Sequence, residues 1–66
     1  MNLIALNEAI KKRGTKKELS KMMNMPYKTL LMRCKGKTDW TVNELLKVSN
    51  ILNFSDSEIL EILERR

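Results

Sequence analysis

The chain has no histidine, one cysteine, one proline and two glycines among its 66 residues, and aromatics make up only 5% of it. Each scarcity removes a class of chemistry. With one thiol and no imidazole, Cys34 has no partner for a disulfide, for a cysteine–histidine nucleophilic pair or for a structural zinc site. No catalytic residue, metal ligand or cofactor is therefore assigned, and Cys34 reads as a small buried hydrophobe. The lack of a cysteine framework places the chain in a reducing, cytoplasmic setting. Two glycines make no phosphate-cradling loop. Tyr27, Trp40 and Phe54 are too few for a single-strand stacking surface, and Trp40 is expected to anchor a loop in the core. No run approaches the roughly 20 apolar residues of a membrane span. Leu3-Ile4-Ala5-Leu6, ended by Asn7 and Glu8, is too short for a signal-peptide core. The expectation is one domain over 1–66 with a thin core, since a chain of this size buries only about 60% of its unfolded surface. Neither a membrane nor a small-molecule ligand is expected as a partner.

What the chain has is basic charge in one place. Its net charge is +5, but from Lys11 to Lys37 there are ten basic residues (Lys11, Lys12, Arg13, Lys16, Lys17, Lys21, Lys28, Arg33, Lys35 and Lys37) against the single acid Glu18. Residues 38–66 hold six acids and three bases. One part of the chain is built to meet an anion and the rest is not, the footprint of a nucleic-acid binder.

The apolar spacing is helical throughout, and the fold class is all-α: five short helices in one compact domain. Leu3, Leu6 and Ile10, with Ala9 beside them, predict a helix over about Asn2–Arg13, ended by a left-handed Gly14. Thr15-Lys16-Lys17-Glu18, Thr41-Val42-Asn43-Glu44 and Ser55-Asp56-Ser57-Glu58 each match the capping box, in which hydroxyl and carboxylate satisfy free N–H groups reciprocally. They open helices over about Lys16–Met23, Val42–Leu52 and Asp56–Arg65. Pro26 begins a further helix, Tyr27–Lys35, stopped at Gly36. Met22, Met23 and Met25 read as flexible core fillers.

Two short helices joined by Asn24-Met25-Pro26 predict a helix-turn-helix. Leu19 and Met23 face inward from the first helix, Met25 plugs the turn and Leu30 faces inward from the second. Ser20 is small where the helices cross, and Asn24 tolerates a left-handed turn backbone. Core contact along the second helix uses Leu30 with Cys34, or Leu30 with the stem of Arg33. Lys28, Met32 and Lys35 point away from the core in either setting, at 100° per residue.

On Thr15-Lys16-Lys17-Glu18-Leu19-Ser20, Asn24-Met25, Thr29-Leu30, Lys35-Gly36-Lys37 and Glu44-Leu45-Leu46-Lys47-Val48, the chain resembles the lambda-repressor-like, Cro/repressor-type helix-turn-helix family over about Leu3 to Leu63. It is similar above all to small phage or prophage regulators whose recognition helix ends in Asn-Gly-Lys followed by an aromatic; Lys35-Gly36-Lys37 and Trp40 stand in those places here. It departs from the family's pattern at Lys16, where Gln is common, at Asn24, where Gly is common, and at Arg33, where many members are apolar.

The resemblance implies a sequence-specific regulator of transcription that reads double-stranded operator DNA, a Cro-like repressor with no separate effector domain. Helix Tyr27–Lys35 would enter the major groove, whose width admits a helix. Lys28 would donate to guanine, Tyr27 and Thr29 to bases or phosphates, and Leu31 or Met32 would pack on a thymine methyl. Arg33 belongs to the same candidate set. Lys16 and Lys17 would clamp a phosphate, as the start of the preceding helix does in similar proteins. Lys35 and Lys37 would hold the backbone at the exit. Similar proteins dimerise on paired half-sites, and Phe54, Leu60 and Leu63 are the candidate homodimer residues; the alternative is that Ile59, Leu60, Ile62 and Leu63 all complete the thin core. The competing reading is a protein-interaction module, an antitoxin-like or anti-repressor adaptor on the same fold, which so many bases do not require.

Overall fold

A computed structural model describes residues 1–64. Its five helices are α1 (Leu3–Arg13), α2 (Lys16–Met22), α3 (Tyr27–Cys34), α4 (Val42–Leu52) and α5 (Asp56–Leu63). No strand occurs among the described residues. Helices lie where the apolar spacing placed them, with ends trimmed by a residue or two. Met23 and Lys35 are C-caps, and Arg65, the expected end of the last helix, lies outside the described residues.

The starts obey local chemistry. Asn2, Thr15, Thr41 and Ser55 each accept a backbone N–H through the side chain. The full reciprocal box forms at Thr41–Glu44 and Ser55–Glu58. At Thr15 only half of it forms, because the Glu18 carboxylate accepts from the Thr15 hydroxyl instead of the backbone. Gly14 also differs from expectation. It is extended (φ 158°, ψ −158°), because the chain must reach the extended N-cap Thr15 one residue later.

Three helices end alike. After α2, α3 and α4, the residues Asn24, Gly36 and Asn53 are left-handed, at φ 54°, 80° and 55°. The amide beyond each closes a six-residue loop: Met25 to Ser20, Lys37 to Met32 and Phe54 to Ser49. These are Schellman ends, which satisfy the last carbonyls of a helix. Met25 and Phe54 are apolar and fold back onto the core, as that motif favours. At α3 the same position is the exposed Lys37.

The core gathers Leu6, Ala9 and Ile10 of α1, Leu19 of α2 with its C-cap Met23, Leu30 and Cys34 of α3, Trp40 of the loop before α4, Leu45 and Val48 of α4, Phe54, and Ile62 of α5. Helix α1 packs on α5 and α3, and α2 packs on α3. Trp40 is the loop anchor expected of it. Met23 and Met25 fill the core, but Met22 is 51% exposed, since two residues on from the buried Ser20 it faces the other side of α2. The buried hydroxyls of Ser20 and Ser49 donate back to the carbonyls of Lys17 and Leu45, which removes the cost of burying them. No helix among the described residues is long and apolar enough to cross a membrane.

Arg13 joins α1 to the start of α5. Its guanidinium pairs with both carboxylate oxygens of Glu58, donates to the carbonyl of Ala9 and stacks 5.0 Å above the Phe54 ring. The Arg13 hydrogen bonds, followed by those from Ser55, lower the Glu58 carboxyl to about pH 2. A depressed carboxyl adds stability that is complete above its unfolded value, about 4.3, and is lost as pH falls toward the folded one. Thermal melts of the protein and of Glu58→Gln should therefore differ most at neutral pH and converge as pH falls from about 4.3 toward 2. Melting curves separated by a constant interval across that range would contradict the pair's contribution.

Candidate nucleic-acid interface

The rotation of α3 decides which side chains it can offer. Leu30 is fully buried and Cys34 nearly so, so the core contact is Leu30 with Cys34, and the alternative through the Arg33 stem falls. The face opposite carries Lys28, Met32 and Lys35, flanked by Thr29 and Leu31. Lys28 and Lys35 are exposed, while Thr29, Leu31 and Met32 are half-buried. Tyr27 is exposed at the first turn of the helix.

Around that face lie other lysines. Lys16 and Lys17 begin α2, the first half-buried and the second exposed. Lys11, Lys16 and Tyr27 line one open groove with Asn7 and Thr15, so the end of α1, the start of α2 and the start of α3 converge. Lys11 belongs to this arrangement although only its membership of a basic run marked it in the sequence. Lys37 is exposed in the loop after α3. No lysine is ion-paired with a carboxylate among the described residues, and Lys47 instead donates to the Met23 carbonyl at the end of α2.

The two arginines of the described residues behave otherwise. Arg13 is held by Glu58, and Arg33 by Glu44, Thr38 and Asp39. Arg33 stood among the candidate contacts in the sequence, but its guanidinium is taken up inside the protein. Burial tends to raise the Glu44 carboxyl, yet hydrogen bonds from Thr41 and the charge of Arg33 outweigh it and hold the group below the ordinary value. The capping box accounted for Glu44 completely, so nothing in the sequence paired it with Arg33.

Cys34 sits under this surface, with its carbonyl accepting from the Asn7 side chain. Burial pushes its thiol up and nearby Lys16 pulls the other way, so it is a neutral core residue. No cluster of three or more potential metal ligands occurs among the described residues. Phe54, a candidate for the dimer contact, is 7% exposed beneath Arg13 and belongs to the core; Leu60 and Leu63 are 51% and 39% exposed, one turn apart on the outer side of α5.

The turn between Lys35 and Lys37 depends on Gly36. Its left-handed φ of 80° disfavours any side chain, and a Cβ there would stand 3.0 Å from the Leu3 side chain. Gly36→Ala should lower stability by about 1–2 kcal/mol in urea unfolding. An unchanged midpoint would show that the turn tolerates a side chain after all.

Comparison of the chain with family models, with curated proteins and with solved structures finds no match.

Proposed function

We propose that this protein is a sequence-specific double-stranded DNA-binding regulator, a Cro-like repressor of the lambda-repressor-like type, with α3 in the major groove. The observation that carries this reading is the division of labour among its bases. Both described arginines are engaged by carboxylates, whereas the lysines on α2, on α3 and in the following loop have no carboxylate partner among the described residues. A surface of uncompensated ammonium groups around an eight-residue helix suits a polyanion with a groove about 12 Å wide. Lys28 lies at the middle of the outward face and is the candidate reader of guanine. Thr29, Met32 and Leu31 are candidates for neighbouring base edges and thymine methyls. Lys16, Lys17, Tyr27, Lys35 and Lys37 surround them and fit the phosphates on either side.

One recognition helix reads only a few base pairs, so the proposal includes a homodimer on paired half-sites about one DNA turn apart. Leu60 and Leu63 are the exposed apolar pair available for it. The competing protein-interaction reading draws on Val42 and Leu46, exposed one turn apart at the start of α4, a patch that DNA binding leaves unused.

Selection of bound duplexes from random DNA near physiological salt tests the proposal. The expected result is a short motif with two-fold symmetry. Lys28→Ala should then weaken binding to that motif by about 1–3 kcal/mol and relax the preference at one base pair per half-site. Salt-sensitive binding without a motif would reduce the protein to a non-specific DNA coater. No binding would move the assignment to a protein partner.

A further inference from the structure

Between α3 and α4 the loop 35–41 is held at both ends. At its start the Lys37 amide donates to the Met32 carbonyl, and at its finish Trp40 is buried in the core. The middle is held differently. The only hydrogen bonds to Thr38 and Asp39 among the described residues come from Arg33, which reaches the Thr38 hydroxyl at 3.0 Å and the Asp39 carbonyl at 3.2 Å. The same guanidinium donates through Nε to Glu44 Oε2 at 2.9 Å. The other oxygen of Glu44 accepts the Thr41 amide that opens α4. Both side chains are about one-fifth exposed, so water screens the pair less than it would a surface ion pair. One planar guanidinium thus joins the last turn of α3, the middle of the loop and the first turn of α4.

Lysine in that place has the charge but not the fork. An ammonium on a flexible stem does not hold three acceptors in a fixed plane. The loop so held carries Lys37 and follows directly from Lys35, two of the exposed ammonium groups beside the outward face of α3.

We propose that Arg33 is a positioning residue for DNA binding: by bracing Glu44, Thr38 and Asp39 it fixes the loop 35–41 and so aims Lys37 at a phosphate beside the groove. This rests on the DNA-binding reading above. It assigns Arg33 an indirect part, distinct from the direct contact its sequence position implies.

The test is the salt dependence of affinity for a duplex recovered by selection, measured for the protein, Arg33→Met, Arg33→Lys, Lys37→Met and the Arg33→Met/Lys37→Met pair. Each phosphate contact contributes about 0.9 to the slope of log affinity against log salt. Arg33→Met and Arg33→Lys should both flatten that slope by about 1, as Lys37→Met does, and the pair should flatten it little further. A direct phosphate contact by Arg33 would overturn the proposal. Arg33→Lys would then keep the original slope, and Arg33→Met would add its loss to that of Lys37→Met. A purely structural role would overturn it as well, lowering the melting temperature and leaving the slope unchanged.

Amide exchange gives a readout that needs no DNA. In Arg33→Met and Arg33→Lys the Lys37 amide should exchange at least several-fold faster while Leu6 and Ile10 in α1 keep their protection; Lys37 protection equal to that of the parent overturns the bracing. If the parent protein binds no duplex, the DNA reading fails, and the exchange result still decides whether Arg33 braces the loop.

Discussion

The burial of Leu30 and Cys34 along one side of α3 is the constraint from which the outer surface follows. In a helix of 100° per residue, residues four apart stack on nearly the same line. Once that line is sealed against the core, Lys28, Met32 and Lys35 have no direction left but outward. The cost of undoing it is large for so small a core: truncating a fully buried leucine to alanine costs about 2–5 kcal/mol, a large share of the stability of a domain this size. The direction in which the outer face of α3 points is therefore set by the core beneath it.

The second determinant is the use of two kinds of cation for two purposes. Guanidinium groups form planar, forked hydrogen bonds, and ammonium groups act as strongly hydrated point charges. Arg13 binds α1 to α5 through Glu58, and Arg33 binds α3 to α4 through Glu44. The first pair spans 45 positions of chain and the second 11. The lysines stay at the surface. A formal charge count over Lys11–Lys37 treats all ten bases alike, yet two of them are compensated inside the fold.

Much of the fold was legible because it is written in local chemistry. Thr41, Ser55 and Thr15 announce helix starts within four residues, and Asn24 and Gly36 announce turns by the backbone they tolerate. The outward direction of Lys28, Met32 and Lys35 needed only the helical period and one buried residue. What was not legible depends on residues distant in sequence. Arg13 with Glu58 is a contact across 45 positions, and nothing local distinguishes Arg13 from Lys11 or Lys12. Phe54 looked available beside α5 until the Schellman end of α4 turned it under Arg13. Arg33 was ambiguous because its helical position lies at the edge of the buried face, where a long side chain turns either to solvent or along the surface to a carboxylate.

The most direct test of the account is to map amide chemical-shift changes on the protein as a selected DNA duplex is added. The largest changes should fall at Lys16 and Lys17 and from Tyr27 through Lys37, with Val42 and Leu46 on α4 little changed. Changes centred on Val42 and Leu46, with α3 silent, would contradict the claim that the lysine-bearing side of α2 and α3 is the surface that meets DNA.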